Sequence, residues 1–534
     1  MKRKLFSLLG LAFAMGVMAQ APKVTIDNGT LEGIDSSGVK IFLGIPFAQA
    51  PVGDLRWKAP QPVEHWQGVR SAKKFGANPI QYNVYGDMVF GTPEQSEDCL
   101  YLNVWTPAKQ MNEKLPVLIY FNGGGLMSGS GSEPRYQGLT LARKGIIVVT
   151  ANYREGIFGF FSHPQLSKET DYKGSGNYGF MDQAASIQWV KDNIAAFGGD
   201  PNRVTIVGES AGSMSVSALM ASPMSRGNIN QVMASSGSVI GSRGVATLKE
   251  AEKAGEAWAK KKGFKKLKDL RNVPAEELNK MAEFKGVPMY CVDGKFFIEQ
   301  PMETYRKGEQ AQVPALIGNN NAEMPVISMM QGKMPTVAAL RECIPAIYGA
   351  EANADEILDM YDIKTDADIM GKPGFTMGGD LFIAYSTWKW TDMLRQTSTQ
   401  PVYRYLYCHG RPAFTVKDKV AGLAGGTAEK KADTPQFVIP GAIHSADIEY
   451  AMGNLATNTM FAWNKDDYQV SEIFQSFYLN FIKTGNPNGL GLPQWDTTNG
   501  KQVAPVMYID LKSEQVVSPK IEQRYNYIDK YLLK

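Results

Sequence analysis

The chain is poor in the two residue types on which metal and disulfide chemistry depend, with four cysteines and four histidines among 534 residues. No CxxC, HExxH or calcium-loop spacing is present, so we expect no required metal. A phosphate-binding loop and a dinucleotide fingerprint are also missing, and we expect no cofactor. Four cysteines allow three full pairings, which the sequence does not rank.

Beyond its first twenty residues the chain has no apolar run long enough for a transmembrane helix, so no membrane anchor is expected. Those first residues combine the basic Met1–Lys4 with an apolar stretch, Leu5 to Met18, and a cleavage signal at Val17-Met18-Ala19. They predict a bacterial-type signal peptide over 1–19 and a periplasmic or secreted protein. Its removal leaves 53 basic residues against 53 acidic ones, which argues against nucleic acid or anionic membranes as partners.

The pentapeptide Gly208-Glu209-Ser210-Ala211-Gly212 directly follows the apolar run 204–207. This pattern predicts a strand that turns sharply into a helix with Ser210 at the apex, as in a serine hydrolase. The strained turn needs small neighbours, which the two glycines provide. In a chain this long and this rich in glycine the pattern arises by chance about 0.3 times, so the flanking segments must support it.

The flanking segments follow the order of an α/β-hydrolase. Upstream of the elbow, four apolar residues fall at helical spacing, namely Ile187, Val190, Ile194 and Phe197. Residues 117–121 and 146–149 predict buried strands. The first of these strands runs into Asn122-Gly123-Gly124-Gly125. Three consecutive glycines free their backbone N–H groups to face a ligand, as an oxyanion hole requires.

Several longer motifs resemble the type-B carboxylesterase family, which includes carboxylesterases, cholinesterases and the non-catalytic adhesion proteins called neuroligins. Besides the elbow, the motifs lie at residues 44–48, 51–57, 97–104 and 481–488. The resemblance spans nearly the whole mature chain. It implies an α/β-hydrolase fold, with a large and mostly parallel central sheet flanked by helices, and a serine carboxylic ester hydrolase.

Length alone suggests about three domains. Because the motifs run from end to end without an internal repeat or a low-complexity linker, we instead predict one catalytic domain over residues 20–534. Helical insertions around 245–310 and 330–435 are expected to cover the active site as a lid.

A serine hydroxyl becomes a good nucleophile when a histidine takes its proton and an acid orients that histidine. His65 and His163 are expected to be surface or loop residues, and His409 to lie at a strand end. His444 remains. Its segment, 441–447, resembles the catalytic-histidine segment of the family, and it follows the serine as the Ser…acid…His order requires.

The acid is expected between Ser210 and His444. Residues 314–323 resemble the family segment that places a glutamate at a strand end, which makes Glu323 our choice, although a glutamate after three asparagines is by itself more typical of a solvated loop. Met324 stands where the family commonly has glycine, so the exit of this loop is expected to differ. The alternative, Asp447, follows the histidine and breaks the order.

In the mechanism that the resemblance implies, Ser210 attacks the ester carbonyl, His444 acts as general base and then general acid, and Glu323 stabilises the imidazolium. Ser236 matches a family serine that supports the acid, and a purely structural role for it is equally expected. The oxyanion would be held by the backbone N–H groups of Gly124, Gly125 and Ala211.

The expected partner is a small-molecule ester. Cholinesterases carry a tryptophan shortly before the Glu-Asp-Cys motif, where Val89 stands here, so a choline ester is not expected. We expect a mainly apolar pocket for an uncharged carboxylic ester, with core or loop packing as the default for Tyr82, Tyr85 and Phe90. Two alternatives stay open, a specialised esterase for acylated carbohydrate or phenolic esters and a non-catalytic binding protein on the esterase scaffold. No feature predicts the oligomeric state.

The resemblance also bears on the cysteines. Secreted relatives pair the cysteine of the Glu-Asp-Cys motif with one upstream, where Pro79 stands here, and Phe264 lies near the place of a cysteine from a second family disulfide. We therefore expect mostly free, buried thiols at Cys99, Cys291, Cys343 and Cys408.

Overall fold

The computed structural model of the protein describes residues 21–82, 84–241, 244–282, 287–416, 418–424, 426–430 and 438–532. The signal peptide predicted over 1–19 lies outside the described residues.

The described residues form short and long strands in chain order, with these bounds: β1 (Lys23–Ile26), β2 (Gly29–Glu32), β3 (Ile34–Ser36), β4 (Val39–Pro46), β5 (Val69–Ser71), β6 (Asn78–Pro79), β7 (Gln95–Ser96), β8 (Tyr101–Thr106), β9 (Leu115–Phe121), β10 (Ile147–Ala151), β11 (Gly199–Glu209), β12 (Gln231–Ser235), β13 (Ala246–Thr247), β14 (Cys291–Val292), β15 (Ala315–Asn320), β16 (Val402–Tyr407), β17 (Lys419–Ala421), β18 (Thr427–Glu429), β19 (Pro505–Ile509) and β20 (Glu514–Val517).

The α-helices have these bounds: α1 (Leu139–Ala142), α2 (Gly156–Phe160), α3 (Pro164–Lys168), α4 (Tyr178–Asn193), α5 (Ala211–Ala221), α6 (Leu248–Lys261), α7 (Leu267–Arg271), α8 (Ala275–Met281), α9 (Pro301–Arg306), α10 (Val337–Tyr348), α11 (Ala354–Met360), α12 (Asp366–Met370), α13 (Lys372–Gly379), α14 (Tyr385–Thr397), α15 (Ile448–Met452), α16 (Lys465–Thr484) and α17 (Pro519–Leu532). A π-helical turn, Asp380–Ala384, joins α13 to α14.

Eleven strands form the central sheet, in the order β20-β19-β16-β15-β12-β11-β9-β10-β8-β4-β3. The seven strands from β19 to β10 pair in parallel. Antiparallel strands extend both edges, β20 on one side and β8, β4 and β3 on the other. The predicted large, mostly parallel sheet flanked by helices is therefore confirmed.

Strand β9 shows why the sheet is covered by helices on both faces. Its side chains alternate, as the two-residue period of a strand requires. Ile119 and its neighbours on one face pack into the same cluster as Val190 of α4 and Leu219 of α5. Leu118 on the opposite face packs with Phe477 of α16. Parallel strands with both faces covered are apolar throughout, which explains the unbroken apolar run of β9.

Candidate active site

Ser210 occupies the turn between β11 and α5, with the backbone angles φ 57° and ψ −122°. A Cβ at Gly208 would overlap the backbone of Gly212, and a Cβ at Gly212 would overlap the carbonyl of Phe121. The backbone N–H of Ser210 donates to the carbonyl of Ser235 at the end of β12, 2.9 Å away. The two glycines thus permit a close approach of strand and helix that holds a non-glycine residue in the left-handed region.

The structure brings three predicted site residues into one hydrogen-bonded line. Nε2 of His444 lies 2.9 Å from Oγ of Ser210, and Nδ1 of His444 lies 2.6 Å from Oε2 of Glu323. Glu323 follows the carboxyl end of β15, and His444 lies in the loop before α15. The side chains of His444 and Glu323 are buried. The carboxylate therefore lies where it can fix the orientation of the imidazole relative to Ser210.

The second oxygen of Glu323 has its own partners. Oγ of Ser236 donates to Oε1 at 2.5 Å, and the backbone N–H of Asn320 donates to the same oxygen at 2.7 Å. The alternative acid, Asp447, instead accepts from Oγ of Ser235 at 2.5 Å and from Nδ2 of Asn320 at 3.1 Å. The structure thus places Glu323, and not Asp447, in hydrogen-bonding contact with the imidazole.

Glu209, the residue before Ser210, is a further neighbour of the imidazole and was not among the predicted site residues. Its Oε1 lies 3.4 Å from Nε2 of His444 and accepts from Oγ of Ser445 at 2.8 Å. Burial raises the pKa of Glu209 to about 7, against the lowering effect of the nearby imidazolium. The glutamate was visible in the elbow motif, but only the loop carrying His444 and Ser445 gives it these contacts.

Two carboxylates therefore act on one buried imidazole. Burial by itself lowers the pKa of His444, because a buried cation loses hydration. The charges of Glu209 and Glu323, together with the hydrogen bond to Glu323, outweigh that effect and raise the pKa above its ordinary value of 6.5. A histidine in this setting is a stronger base than one in water, which suits proton abstraction from a hydroxyl.

The glycine loop after β9 lies beside Ser210. Gly124 and Gly125 have φ angles of 111° and 66°, in the region that favours glycine. Both glycines and Ala211 line the same cavity as Ser210. Among the described residues, the backbone N–H groups of these three donate to no other group of the chain. They are thus available to a ligand oxygen in the cavity.

The cavity at Ser210 has a volume of about 350 Å³. Its apolar wall is formed by Met88, Met214, Leu381, Phe382, Ile383 and Leu423. Tyr85 also lines the cavity rather than packing in the core or a loop, and burial raises its pKa to about 12. Tyr82 and Phe90 do not line it. The predicted apolar character therefore holds for one wall of the cavity, and the polar groups gather around Ser210.

The two predicted lid segments differ. Segment 330–435 supplies part of the cavity wall through residues 380–383, 385, 386, 423 and 424. Among the described residues, segment 245–310 contributes none of the lining. Its helix α6 packs against Phe161, with 5.7 Å between the ring centroids of Trp258 and Phe161.

The remaining histidines lie outside the cavity lining. His65 is exposed, as expected. His163 lies in the loop before α3, as expected; its side chain is buried, and its Nδ1 accepts from the backbone N–H of Gln165 and caps α3. His409 lies just beyond the end of β16 and bonds Asp510 and Asp467 through its two ring nitrogens, at 3.0 and 3.1 Å.

All four cysteines are free in the structure; Cys408 is half-buried, and Cys99, Cys291 and Cys343 are buried. Burial raises the pKa of the Cys99 thiol well above its ordinary value. In the part of the chain that the structure describes, no group of three or more histidine, cysteine or acidic side chains could hold a metal. No described helix combines the length and apolarity needed to cross a bilayer.

The profile of the carboxylesterase family matches residues 20–528. Fumonisin B1 esterase of Sphingopyxis macrogoltabida is 37% identical over 75% of this chain and 74% of its own length. Para-nitrobenzyl esterase of Bacillus subtilis (strain 168) is 31% identical over 87% of this chain and 90% of its own.

Solved structures are similar over most of the chain. A PNB esterase structure superposes with a TM-score of 0.78 at 28% identity, covering 95% of this chain and 99% of that one. The carboxylesterase Est55 of Geobacillus stearothermophilus gives the same TM-score, identity and coverage. These similarities confirm the α/β-hydrolase fold and the predicted resemblance. The chain belongs to the carboxylesterase family and is a carboxylic ester hydrolase.

Proposed function

We propose that the protein hydrolyses uncharged carboxylic esters through an acyl-enzyme on Ser210. The observation that carries the proposal is the line from Oγ of Ser210 through His444 to Glu323, with distances of 2.9 and 2.6 Å, at a cavity of about 350 Å³. His444 takes the proton of Ser210 as the hydroxyl attacks the ester carbonyl, and Glu323 stabilises the resulting imidazolium.

The negative charge that develops on the carbonyl oxygen is held by the N–H groups of Gly124, Gly125 and Ala211. Ala211 begins α5, so the positive end of the helix dipole adds to this stabilisation. His444 then gives its proton to the leaving alcohol. Water then loses a proton to the same imidazole as its oxygen attacks the acyl carbon. The bond from that carbon to Oγ breaks, the imidazolium returns the proton to Oγ of Ser210, and the carboxylic acid leaves.

The apolar wall of the cavity favours esters without charge near the scissile bond. A second candidate is a more specialised ester, because the relative named fumonisin B1 esterase is 37% identical, against 31% for the para-nitrobenzyl esterase. Fumonisin B1 therefore belongs in the substrate panel beside simple esters and acylated carbohydrate or phenolic esters.

We also propose export to the periplasm or beyond, on the basis of the basic and apolar residues 1–19. Expression of the full chain in a bacterial host, followed by mass spectrometry of the protein outside the cytoplasm, tests this. A mature N-terminus at Gln20 supports cleavage after Ala19, and an intact Met1 in an exported fraction contradicts it.

The hydrolysis is tested with p-nitrophenyl esters from acetyl to decanoyl and with purified mature protein. Ser210→Ala should abolish turnover, and Ser213→Ala, which changes a buried serine of the same helix, is the matched control. The dependence of the wild-type rate on the length of the acyl chain then measures the space that the cavity offers to the acyl group. Wild-type rates in a folded Ser210→Ala variant would overturn the assignment of the nucleophile.

A further inference from the structure

The π-helical turn Asp380–Ala384 lies beside the proposed nucleophile. It interrupts an otherwise continuous helical run between α13 and α14. Four of its five residues, 380–383, line the cavity. Turns of this kind inside α-helices are frequent at functional sites, where they redirect side chains relative to the regular helix.

One side chain of the turn touches the imidazole. The rings of Phe382 and His444 lie 5.0 Å apart between centroids, with an angle of 80° between their planes. The bond to Glu323 fixes Nδ1 of His444, but it leaves the imidazole some freedom to tilt. Phe382 occupies space into which the imidazole could tilt, so it restricts the directions in which Nε2 can point.

The position of the turn is fixed from the C-terminal helix α17. Nε of Arg524 lies 2.5 Å from Oδ2 of Asp380, and the hydroxyl of Tyr361 donates to the same oxygen at 3.1 Å. The guanidinium of Arg524 also lies over the rings of Tyr361 and Tyr525, at 5.6 and 5.3 Å. Asp380 is buried, and a buried carboxylate is costly without such partners, so the pair fixes where the turn begins.

The same helix contacts the residues that follow the turn. Asp529 of α17 accepts from the hydroxyl of Tyr385 at 2.5 Å, and Glu522 accepts from Nε1 of Trp388 at 3.0 Å. Helix α17 therefore bonds to the start of the turn and to the first residues of α14. Phe382 lies between these two attachments.

We propose that Arg524 is a positioning residue for ester hydrolysis, which acts through Asp380 and Phe382 to keep Nε2 of His444 directed at Ser210. The inference rests on the proposed function, since it needs His444 to act on Ser210. Arg524 itself touches neither Ser210 nor His444. A merely structural role for Arg524 would reduce the amount of folded enzyme and leave the turnover of each folded site unchanged.

The test compares Phe382→Leu, Arg524→Gln and the double variant, with p-nitrophenyl acetate as substrate. Active sites are counted by complete reaction with a p-nitrophenyl phosphonate. Each single variant should lower kcat per counted site about tenfold with KM within about twofold, because misplaced catalytic groups cost turnover more than binding. The double variant should match Phe382→Leu, because both changes act through one contact.

Two further variants complete the design. Arg524→Lys keeps a cation near Asp380 and should restore most of the lost kcat. Lys520→Gln, which removes an exposed ion pair of the same helix with Asp362, is the matched control and should not change kcat. If Arg524→Gln does not fold, Tyr361→Phe replaces it in the test. Tyr361→Phe should lower kcat less than is expected for Arg524→Gln. Added to Phe382→Leu, it should cause no further loss of kcat.

An unchanged kcat per site in Arg524→Gln, or in Tyr361→Phe where that variant replaces it, overturns the positioning role. The positioning role is also overturned if the fold-loss of kcat in the double variant equals the product of the fold-losses in the two single variants. Failure of the proposed function has a different signature, since turnover would then survive in Ser210→Ala. The comparison is made only in an enzyme whose Ser210→Ala variant is inactive, which keeps the two failures distinguishable.

Discussion

Oε1 of Glu209 lies 3.4 Å from Nε2 of His444, the nitrogen that also faces Oγ of Ser210. The carboxylate of Glu323 bonds the opposite nitrogen, so the imidazole has an anion at each end. Both anions favour the imidazolium, and the pKa of His444 is raised above 6.5. The imidazolium that forms when Ser210 attacks a substrate is stabilised by the same two charges.

The first prediction concerns pH. Only neutral His444 can take the proton of Ser210, so kcat/KM should rise with pH through the titration of the imidazole. Because the pKa is raised, the midpoint of this acid limb should lie above pH 6.5. Glu209→Gln removes one anion and should shift the midpoint to lower pH.

The measurement is kcat/KM for p-nitrophenyl acetate across a pH series, corrected for the spontaneous rate. Glu256→Gln, on the exposed face of α6, is the control and should leave the midpoint in place. A midpoint that does not move in Glu209→Gln would show that this carboxylate does not act on the imidazole.

The second prediction separates the two candidate acids. Glu323→Gln removes the charge beside Nδ1 of His444, and kcat should fall by up to about 10⁴-fold, the loss seen when the acid of such a triad becomes an amide. Asp447→Asn leaves that contact intact and should cost far less activity. Steady-state kinetics of both variants measure the two losses of kcat. A larger loss of kcat in Asp447→Asn than in Glu323→Gln would assign the role of the acid to Asp447.

The third prediction concerns the glycine loop. Gly124→Ala should lower kcat by about 10²-fold or more, because its Cβ would overlap the carbonyl of Ser128 and displace the loop that offers N–H groups to the oxyanion. Gly145→Ala is the matched control. Gly145 also has a positive φ, 91°, but a Cβ there meets open space, so that variant should lose some stability and keep its kcat.

The fourth prediction concerns stability. Arg154 and Asp182 form a fully buried pair, with Nε 2.8 Å from Oδ2 and Nη2 2.7 Å from Oδ1. Asp182→Asn should lower the free energy of unfolding by about 3–5 kcal/mol, because it leaves a buried guanidinium uncompensated.

Urea denaturation of the purified variant measures this change. Glu256→Gln breaks the exposed pair with Lys260 and should cost less than about 1 kcal/mol. If Asp182→Asn lowers the free energy of unfolding as little as Glu256→Gln does, water must reach Arg154 when its partner is removed.

Local patterns in the sequence were sufficient to predict the elements around Ser210. Strand β11 and the turn into helix α5 follow from the apolar run 204–207 and the elbow pattern. The contact that excludes a Cβ at Gly208 is local, since it is made with Gly212, whereas glycine at 212 is required by the carbonyl of Phe121 on β9. The order of serine, acid and histidine also pointed to Glu323 and His444. Long-range placement was predicted less well, since only one of the two predicted lid segments, 330–435, supplies described residues to the cavity lining.

The sequence by itself was enough to identify the family and the kind of sheet, and to nominate Ser210, Glu323 and His444, because each of these inferences depends on motifs whose residues are close together in the chain. Only the tertiary structure decided that Glu209 faces His444, that Phe382 meets the imidazole and that Arg524 holds Asp380. These contacts join residues up to 235 positions apart, counting from Glu209 to His444. Strand pairing and helix packing set such distances, and no local periodicity encodes them.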